Sequence, residues 1–381
     1  MDAVASAGLR PVWAEVDLGA IRRNAVTLGD LAAPASLCAV VKANAYGHGA
    51  APAARAALDG GASSLGVALV EEGAGLREQG ITAPILVLSE PPHDAMAEVH
   101  VLDLVPTLYT DAGVTAAAKA VADTTDQAPM TVHVKVDTGM HRVGASPADA
   151  VAVALAVEER PELRLGGLWT HFALADEPDD PFTSVQASRF REVVTELAAR
   201  GVRPPILHAC NSAGCLAHPY ARHDMVRCGI ALYGLAPSPE LVGRADLRAA
   251  LSLRARVSQV KWLAAGEGLS YGLRYRLARR SLVATVPVGY ADGVPWRLGV
   301  AGGEVLIEGR RRPIAGSVTM DQITVDCGDD ASVSPGDEVV LLGRQGDACV
   351  DAWEWARLAD TIAYEIVCRL GPRVPRTYIS T

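Results

Sequence analysis

Leu37-Cys38-Ala39-Val40-Val41-Lys42-Ala43-Asn44-Ala45-Tyr46-Gly47-His48-Gly49 decides how the rest of the chain is read. Residues 37–41 are a short unbroken apolar run, the pattern of a parallel strand buried on both faces. A lysine caps the run, and a turn of small residues with one tyrosine and two glycines follows at once. An ammonium at the buried end of a strand is desolvated, which weakens its hold on a proton and leaves a neutral amine able to attack a carbonyl. The natural electrophile is an aldehyde cofactor, pyridoxal phosphate. A lysine that only snorkels to the rim of a sheet is the structural alternative.

Similar runs recur at residues 65–69, 85–88, 102–105, 132–136, 165–170, 206–209 and 225–228, separated by Ala-, Glu- and Arg-rich helical stretches such as residues 184–200. About eight strand–helix units without a linker predict a (β/α)8 TIM barrel, with a doubly wound sheet as its competitor. Upstream, residues 12–16 alternate like a strand, and Asp17 is placed to cap a helix running from Leu18 toward Leu31. From about Leu251 the texture changes. Residues 253–260, 281–288, 304–308, 322–326 and 338–342 read as strands and residues 352–357 as a helix. The expected organisation is α/β: a cofactor-binding barrel over residues 1–240, then a mostly β C-terminal domain over residues 241–381.

A chain of 381 residues, 50% of them hydrophobic, can bury two ordinary cores. Its formal charge of −9, with no polybasic block, argues against nucleic acid or a membrane surface and for a small-molecule partner. The seven cysteines (Cys38, Cys210, Cys215, Cys228, Cys327, Cys349 and Cys368) are scattered without CxxC spacing, so neither a disulfide framework nor a metal site is expected. With no basic-then-apolar leader and no apolar run approaching about 18 residues, the expected location is the cytoplasm.

In a barrel, reactive groups belong at the C-terminal strand ends. The fifth run leads into His133-Val134-Lys135-Val136-Asp137-Thr138-Gly139-Met140-His141-Arg142. Lys135 alternates with valines on a strand that has no solvent face, so its charge needs either an acid partner or conversion by carbon dioxide to an anionic carbamate. The sixth run ends at Thr170-His171. The seventh ends His208-Ala209-Cys210-Asn211-Ser212-Ala213-Gly214, where Ser212 and the amides after it could bind a phosphate. The eighth ends Met225-Val226-Arg227-Cys228-Gly229-Ile230. Loops after strands seven and eight are where barrels commonly hold phosphate.

VVKANAYGHG, KVDTGMHRVG, HACNSAG and MVRCGIALYG resemble, in the same order, segments of alanine racemases, the fold-type-III pyridoxal phosphate enzymes, and the resemblance runs over essentially the whole chain. It implies that Lys42 carries the cofactor as a Schiff base, that Lys135 is carbamylated, and that Arg142 contacts cofactor and substrate carboxylate. It implies cofactor contacts from Tyr46, His171, Ser212, Gly229, Ile230 and Tyr364, and Arg227 at the pyridine nitrogen. An arginine cannot accept a proton there, since its pKa exceeds about 12. Met320 is implied at the substrate carboxylate and Tyr290 near the entrance. Racemisation needs a second base facing Lys42, and Tyr271 is implied, assisted by His171. A phenol titrates near pH 10, so such a base needs a neighbour's help. The family implies a homodimer with shared sites.

Three positions depart from the family pattern. Trp296 stands where relatives carry arginine after a proline, Ser317 where they commonly carry a basic residue, and Thr319 where they carry Cys or Ser. These departures predict an entrance with less positive charge and more bulk. The expected reaction is interconversion of L- and D-alanine for peptidoglycan, with a racemase of serine or several small amino acids as the alternative. A decarboxylase would want an acid in place of Arg227, and a non-enzymatic cofactor carrier would lack the β domain holding Tyr271.

Overall fold

The computed structural model describes residues 9–125 and 128–381. All eight apolar runs are strands. After a first strand β1 (Val12–Asp17) come β2 (Ser36–Val40), β3 (Ser64–Val67), β4 (Ile85–Val87), β5 (Leu104–Leu108), β6 (Met130–Lys135), β7 (Leu163–Trp169), β8 (Ile206–His208) and β9 (Met225–Cys228). They form one eight-stranded parallel sheet in the order β8-β7-β6-β5-β4-β3-β2-β9. Because β9 returns to pair with β2, the sheet curls into a nearly closed barrel, and the doubly wound alternative falls. Across the seam between β8 and β9, the amides of Asp224 and Arg227 donate to the carbonyls of Leu207 and Cys210 at 3.0 and 2.9 Å. Helices such as Phe182–Ala199 cover the barrel strands, which accounts for runs with no polar face.

The β-rich region carries β10 (Leu251–Arg256), β11 (Gln259–Leu263), β12 (Gly268–Leu269), β13 (Tyr275–Arg276), β14 (Ser281–Val286), β15 (Glu304–Ile307), β16 (Arg310–Pro313), β17 (Ile323–Asp326), β18 (Glu338–Gln345), β19 (Ala348–Val350) and β20 (Arg376–Ile379). Its main sheet runs β16-β15-β18-β10-β1-β20, with β19 on β18, beside a three-stranded sheet β11-β14-β17 and the small hairpin β12–β13.

Two compact units result: residues 21–45 with 49–248, and the described residues up to Ala20 with Tyr46–His48 and Ala249–Thr381. The first strand therefore leaves the barrel half in which residues 1–240 had placed it. Val12, Ala14 and Val16 are buried between β10, antiparallel, and β20, parallel, so the alternation that marked β1 belongs to the β-rich unit. The strand expected over residues 253–260 is two strands. At Val257 the amide donates to Asp337 of the main sheet, and at Ser258 it donates to Thr285 of the three-stranded sheet, so the chain changes sheets there. Asp17 caps the following helix as expected, accepting from the amide of Ala20 at 3.0 Å.

Candidate active site

At the C-terminal end of β2, Tyr233 Oη donates to the Val40 carbonyl at 2.9 Å, and Lys42, half-buried, opens the next turn. That turn has an uncommon hand: Ala43, Asn44, Ala45 and Tyr46 all have φ between 51° and 54°. Four successive non-glycine residues in the left-handed region cost on the order of 1–2 kcal/mol each. Small side chains limit that cost, and polar contacts hold the turn. Glu72 accepts from the amides of Ala43 (2.6 Å), Ala68 (2.8 Å) and Leu69 (3.3 Å), tying the end of β3 to the residue after Lys42. Asn44 Oδ1 accepts from the amide of Ala50 at 2.8 Å. The run of alanines hinted at a turn, but nothing in the sequence marked its hand or the role of Glu72.

Arg227, on β9 and 2% exposed, is the hub of the barrel interior. One guanidinium nitrogen donates to His208 Nδ1 at 2.9 Å; the other faces the Thr170 and Ala209 carbonyls at 2.9 and 3.0 Å and His171 Nδ1 at 3.1 Å. A guanidinium only donates, so both Nδ1 atoms must accept, and each neutral imidazole carries its proton on Nε2. His208 then donates from Nε2 to His133 Nδ1 at 2.9 Å. Burial, and next to it the Arg227 charge, holds His171 and His208 well below the usual histidine range and His133 down to about 4, so all three are neutral near pH 7. Arg227 itself is brought down to about 10 by burial and stays a cation at neutrality. Trp169 stacks on His208 with ring centroids 5.5 Å apart, and Arg227 lies over the Trp169 ring at 4.4 Å.

Lys135, 4% exposed, sits over the Trp169 ring at 4.1 Å. Among the described residues no carboxylate lies within ion-pair distance of it, so the acid partner weighed for this lysine is absent. Asp137 instead accepts from the amides of Gly139 and His141, both at 3.0 Å, and shapes the turn that carries the exposed Arg142. Burial, then Arg227, Arg142 and Lys42, pull Lys135 down to about 7. The same four cations, Arg227, Lys135, Arg142 and Lys42, all depress His171. One end of the barrel of an acidic chain thus gathers positive charge.

Ser212 is buried, and its Oγ accepts from the amides of Gly229 (2.9 Å) and Ala231 (3.3 Å), joining the loops after β8 and β9. Thr138 and Thr170, 2.7 Å apart, are braced by Gln186, whose amide group also donates to the His171 carbonyl at 3.1 Å. His133, His208, Trp169 and Gln186 had no role assigned from sequence. The signal available was strand position for His133, one alternation from Lys135, and for Trp169 and His208 at strand ends, while Gln186 lies on the helix Phe182–Ala199 and had none.

In the β-rich unit, Tyr46 and Tyr364 pair with ring centroids 6.3 Å apart. Tyr271 projects from the turn between β12 and β13 and is 75% exposed. It lines a pocket with Arg274, Tyr290, Trp296, Ser317 and Met320. The amides of Tyr290 and Ala291 donate to the carbonyls of Thr319 and Met320 at 3.0 and 3.1 Å, and Gly289 permits this approach, since a Cβ there would meet the Thr319 oxygen at 2.3 Å. Asp292, fully buried, fixes the same loop through Arg10. At this rim Trp296 supplies the bulk, and Arg274 lies over its ring at 5.7 Å.

Residues 16–237 match the family described as alanine racemase, N-terminal domain, and residues 250–378 match alanine racemase, C-terminal domain. The alanine racemase of Symbiobacterium thermophilum is 49% identical over 371 residues, covering 97% of this chain and 98% of that one. That of Thermobifida fusca is 44% identical over 376 residues, with 96% and 97% covered. The crystal structure of the enzyme from the D-cycloserine producer Streptomyces lavendulae superposes with a TM-score of 0.92 at 40% identity over 98% of both chains. That from Bacillus anthracis with bound L-Ala-P gives 0.90 at 39%, covering 98% of this chain and 96% of that one. With the barrel and the β-rich unit each matched in order and nearly end to end, this chain belongs to the alanine racemase family and is an isomerase.

Proposed function

We propose that the protein interconverts L- and D-alanine with pyridoxal phosphate and two opposed bases, Lys42 and Tyr271. The observation that carries this is the convergence of Lys42, Lys135, Arg142 and Arg227 on one end of the barrel, with no Asp or Glu among the described residues bonded to Arg227. Such a field selects anions, and both a phosphate and an amino-acid carboxylate are anions.

The donor set fits the cofactor. Lys42 would hold its aldehyde covalently; Ser212 and the amides of Gly229 and Ile230 would face its phosphate, with Tyr46 and Tyr364 as further contacts. His171 and Arg227 would face its ring. Pyridoxal phosphate, once bound to an amino acid, acidifies the α-carbon by drawing electrons into its ring. Arg227 would offer only donors to the pyridine nitrogen and so would not supply it with an acid's shared proton. A weaker electron sink favours return of the proton to the same carbon, which suits racemisation over transamination. Lys42 would exchange a proton at one face of the α-carbon and Tyr271 at the other. Arg142 and the Met320 backbone would orient the carboxylate.

Tyr271 would serve the barrel of a second copy, making a homodimer with shared sites. Supporting this, Tyr271, Tyr290, Trp296 and Met320 are all exposed around one pocket rim. No helix among the described residues is long and apolar enough to cross a membrane, which accords with work in the cytoplasm supplying D-alanine for peptidoglycan. Loss of optical rotation from pure L-alanine, with and without added pyridoxal phosphate, tests the function. The expected result is decay to a racemic mixture only with cofactor, and an unchanged rotation rejects it.

Lys135 would be a carbamate, formed when its neutral amine bonds to carbon dioxide and releases one proton. A lysine brought down to about 7 is largely neutral above that pH, so modification should rise from pH 6 to pH 8. With 13C-labelled bicarbonate, a carbonyl resonance should appear and be missing in Lys135→Ala. That variant should raise KM about 10-fold through a loosened Arg142, with partial rescue by a small carboxylate or chloride. Absence of the resonance at every pH rejects the carbamate.

A further inference from the structure

Ser270, immediately before Tyr271, has φ 59° and ψ −172°. That backbone region is left almost entirely to glycine, because a Cβ there crowds its own chain. Gly272 and Leu273 follow at φ 75° and 47°, so the turn carrying Tyr271 is strained on both sides of it. The exposed tyrosine ring has little packing to oppose that strain. A strained segment persists only where its surroundings over-determine it.

The opposing contacts come from residues 316–317. Ser270 Oγ donates to the Ser317 carbonyl at 2.7 Å, and Ser317 Oγ donates to the Tyr271 carbonyl at 2.9 Å. The two serines thus clasp each other's segments reciprocally. Ser317 is 4% exposed, and its hydroxyl is engaged in this bond. Gly316 lets the segments approach: at φ 97°, an added Cβ would stand 2.6 Å from the Leu269 carbonyl oxygen and 2.9 Å from Ser270 Cβ. Below the turn, Leu269, Leu277, Val283 and Ala315 form a small apolar cluster, with Tyr275 packed against it and its hydroxyl on Asp326 at 2.9 Å. The hairpin base is anchored by packing, while its tip is held by the serine pair.

We propose that Ser317 is a positioning residue for the racemase reaction, its hydroxyl locking the strained turn that aims Tyr271. The departure from a basic side chain at this position then has a consequence other than lost charge: it gives the turn a donor short enough to reach the Tyr271 carbonyl. This rests on Tyr271 being a base, and the test separates the two claims.

Ser317→Ala should lower kcat about 5- to 10-fold with KM nearly unchanged, since one buried hydrogen bond to a positioned group is lost. In the protein without substrate, amide hydrogen exchange over residues 268–275 should quicken, and Ser317→Thr should restore both readouts. In a Tyr271→Phe background, Ser317→Ala should have no further effect on kcat. If it lowers kcat there by the same factor, Ser317 does not act through Tyr271 and the proposal fails. If Tyr271→Phe alone leaves kcat intact, the tyrosine is not a base, and faster exchange then marks Ser317 as structural only. Ser270→Gly guards against misfolding, because glycine adopts φ 59° freely. It should keep the melting temperature while lowering kcat, and full activity with unchanged exchange overturns the latch.

Discussion

Lys42→Ala should abolish racemisation in both directions, with a loss greater than about 10⁴-fold, and the purified protein should lack the visible absorbance expected of lysine-bound pyridoxal phosphate. The size follows from two roles falling together. On the proposed mechanism the amine would anchor the aldehyde covalently and would also be one of two groups that exchange a proton with the α-carbon, a role worth about 10²–10⁴-fold by itself. The fold should survive. Lys42 stands at the mouth of β2, half-buried, and the turn after it is secured through the backbone of Ala43 to Glu72 and through Asn44 to Ala50, contacts that a methyl side chain leaves alone. Persistence of the lysine-bound absorbance in Lys42→Ala rejects this lysine. Added methylamine restoring part of the rate would confirm that the missing function is an amine.

The barrel was legible because parallel strands covered on both faces leave uninterrupted apolar runs, and eight of them at regular spacing admit few topologies. Where strands exchange partners, that logic weakens. β1 alternates cleanly, but alternation does not say which sheet a strand joins, and its partners β10 and β20 lie more than 200 residues downstream. The break at Val257 and Ser258 was equally hidden, since both sheets accept the same side-chain pattern and only the backbone bonds divide them. Short elements such as β12, β13 and β19 carry too few residues to show a period at all.

Within the site, residues whose chemistry sits in the side chain were easier to find than residues acting through geometry. Lys42, Lys135 and Arg227 are conspicuous as charges on buried strands. Glu72 had no role assigned from sequence, because its bond to the Ala43 amide depends on how the ends of β2 and β3 lie beside each other. His133 and His208 depend on Arg227 for their tautomers, and that dependence exists only once β6, β8 and β9 are neighbours in space. Ser317 was read for the charge it lacks, while its bond to the Tyr271 carbonyl requires the hairpin to fold back over residues 316–317.

Tyr271→Phe, the other change with a large expected effect, should lower kcat about 10²–10⁴-fold in both directions while leaving cofactor binding intact. Detailed balance requires kcat/KM to fall by the same factor in both directions, because the variant cannot alter the equilibrium between two mirror-image substrates. The asymmetry shows elsewhere. With one base removed, the enantiomer whose α-hydrogen faces Lys42 still exchanges that hydrogen with deuterated water, whereas the enantiomer facing the missing phenol does not. Wild-type protein exchanges both. Phenylalanine keeps the ring and loses one oxygen, and the turn that bears it is held by the Ser270 and Ser317 hydroxyls donating to backbone carbonyls, so the fold has no reason to respond. The ring is 75% exposed, which also rules out a cavity penalty within the chain. Equal deuterium uptake into both enantiomers, or a kcat within about 3-fold of wild type, would remove Tyr271 from the chemistry and leave Lys42 as a single base working on both faces.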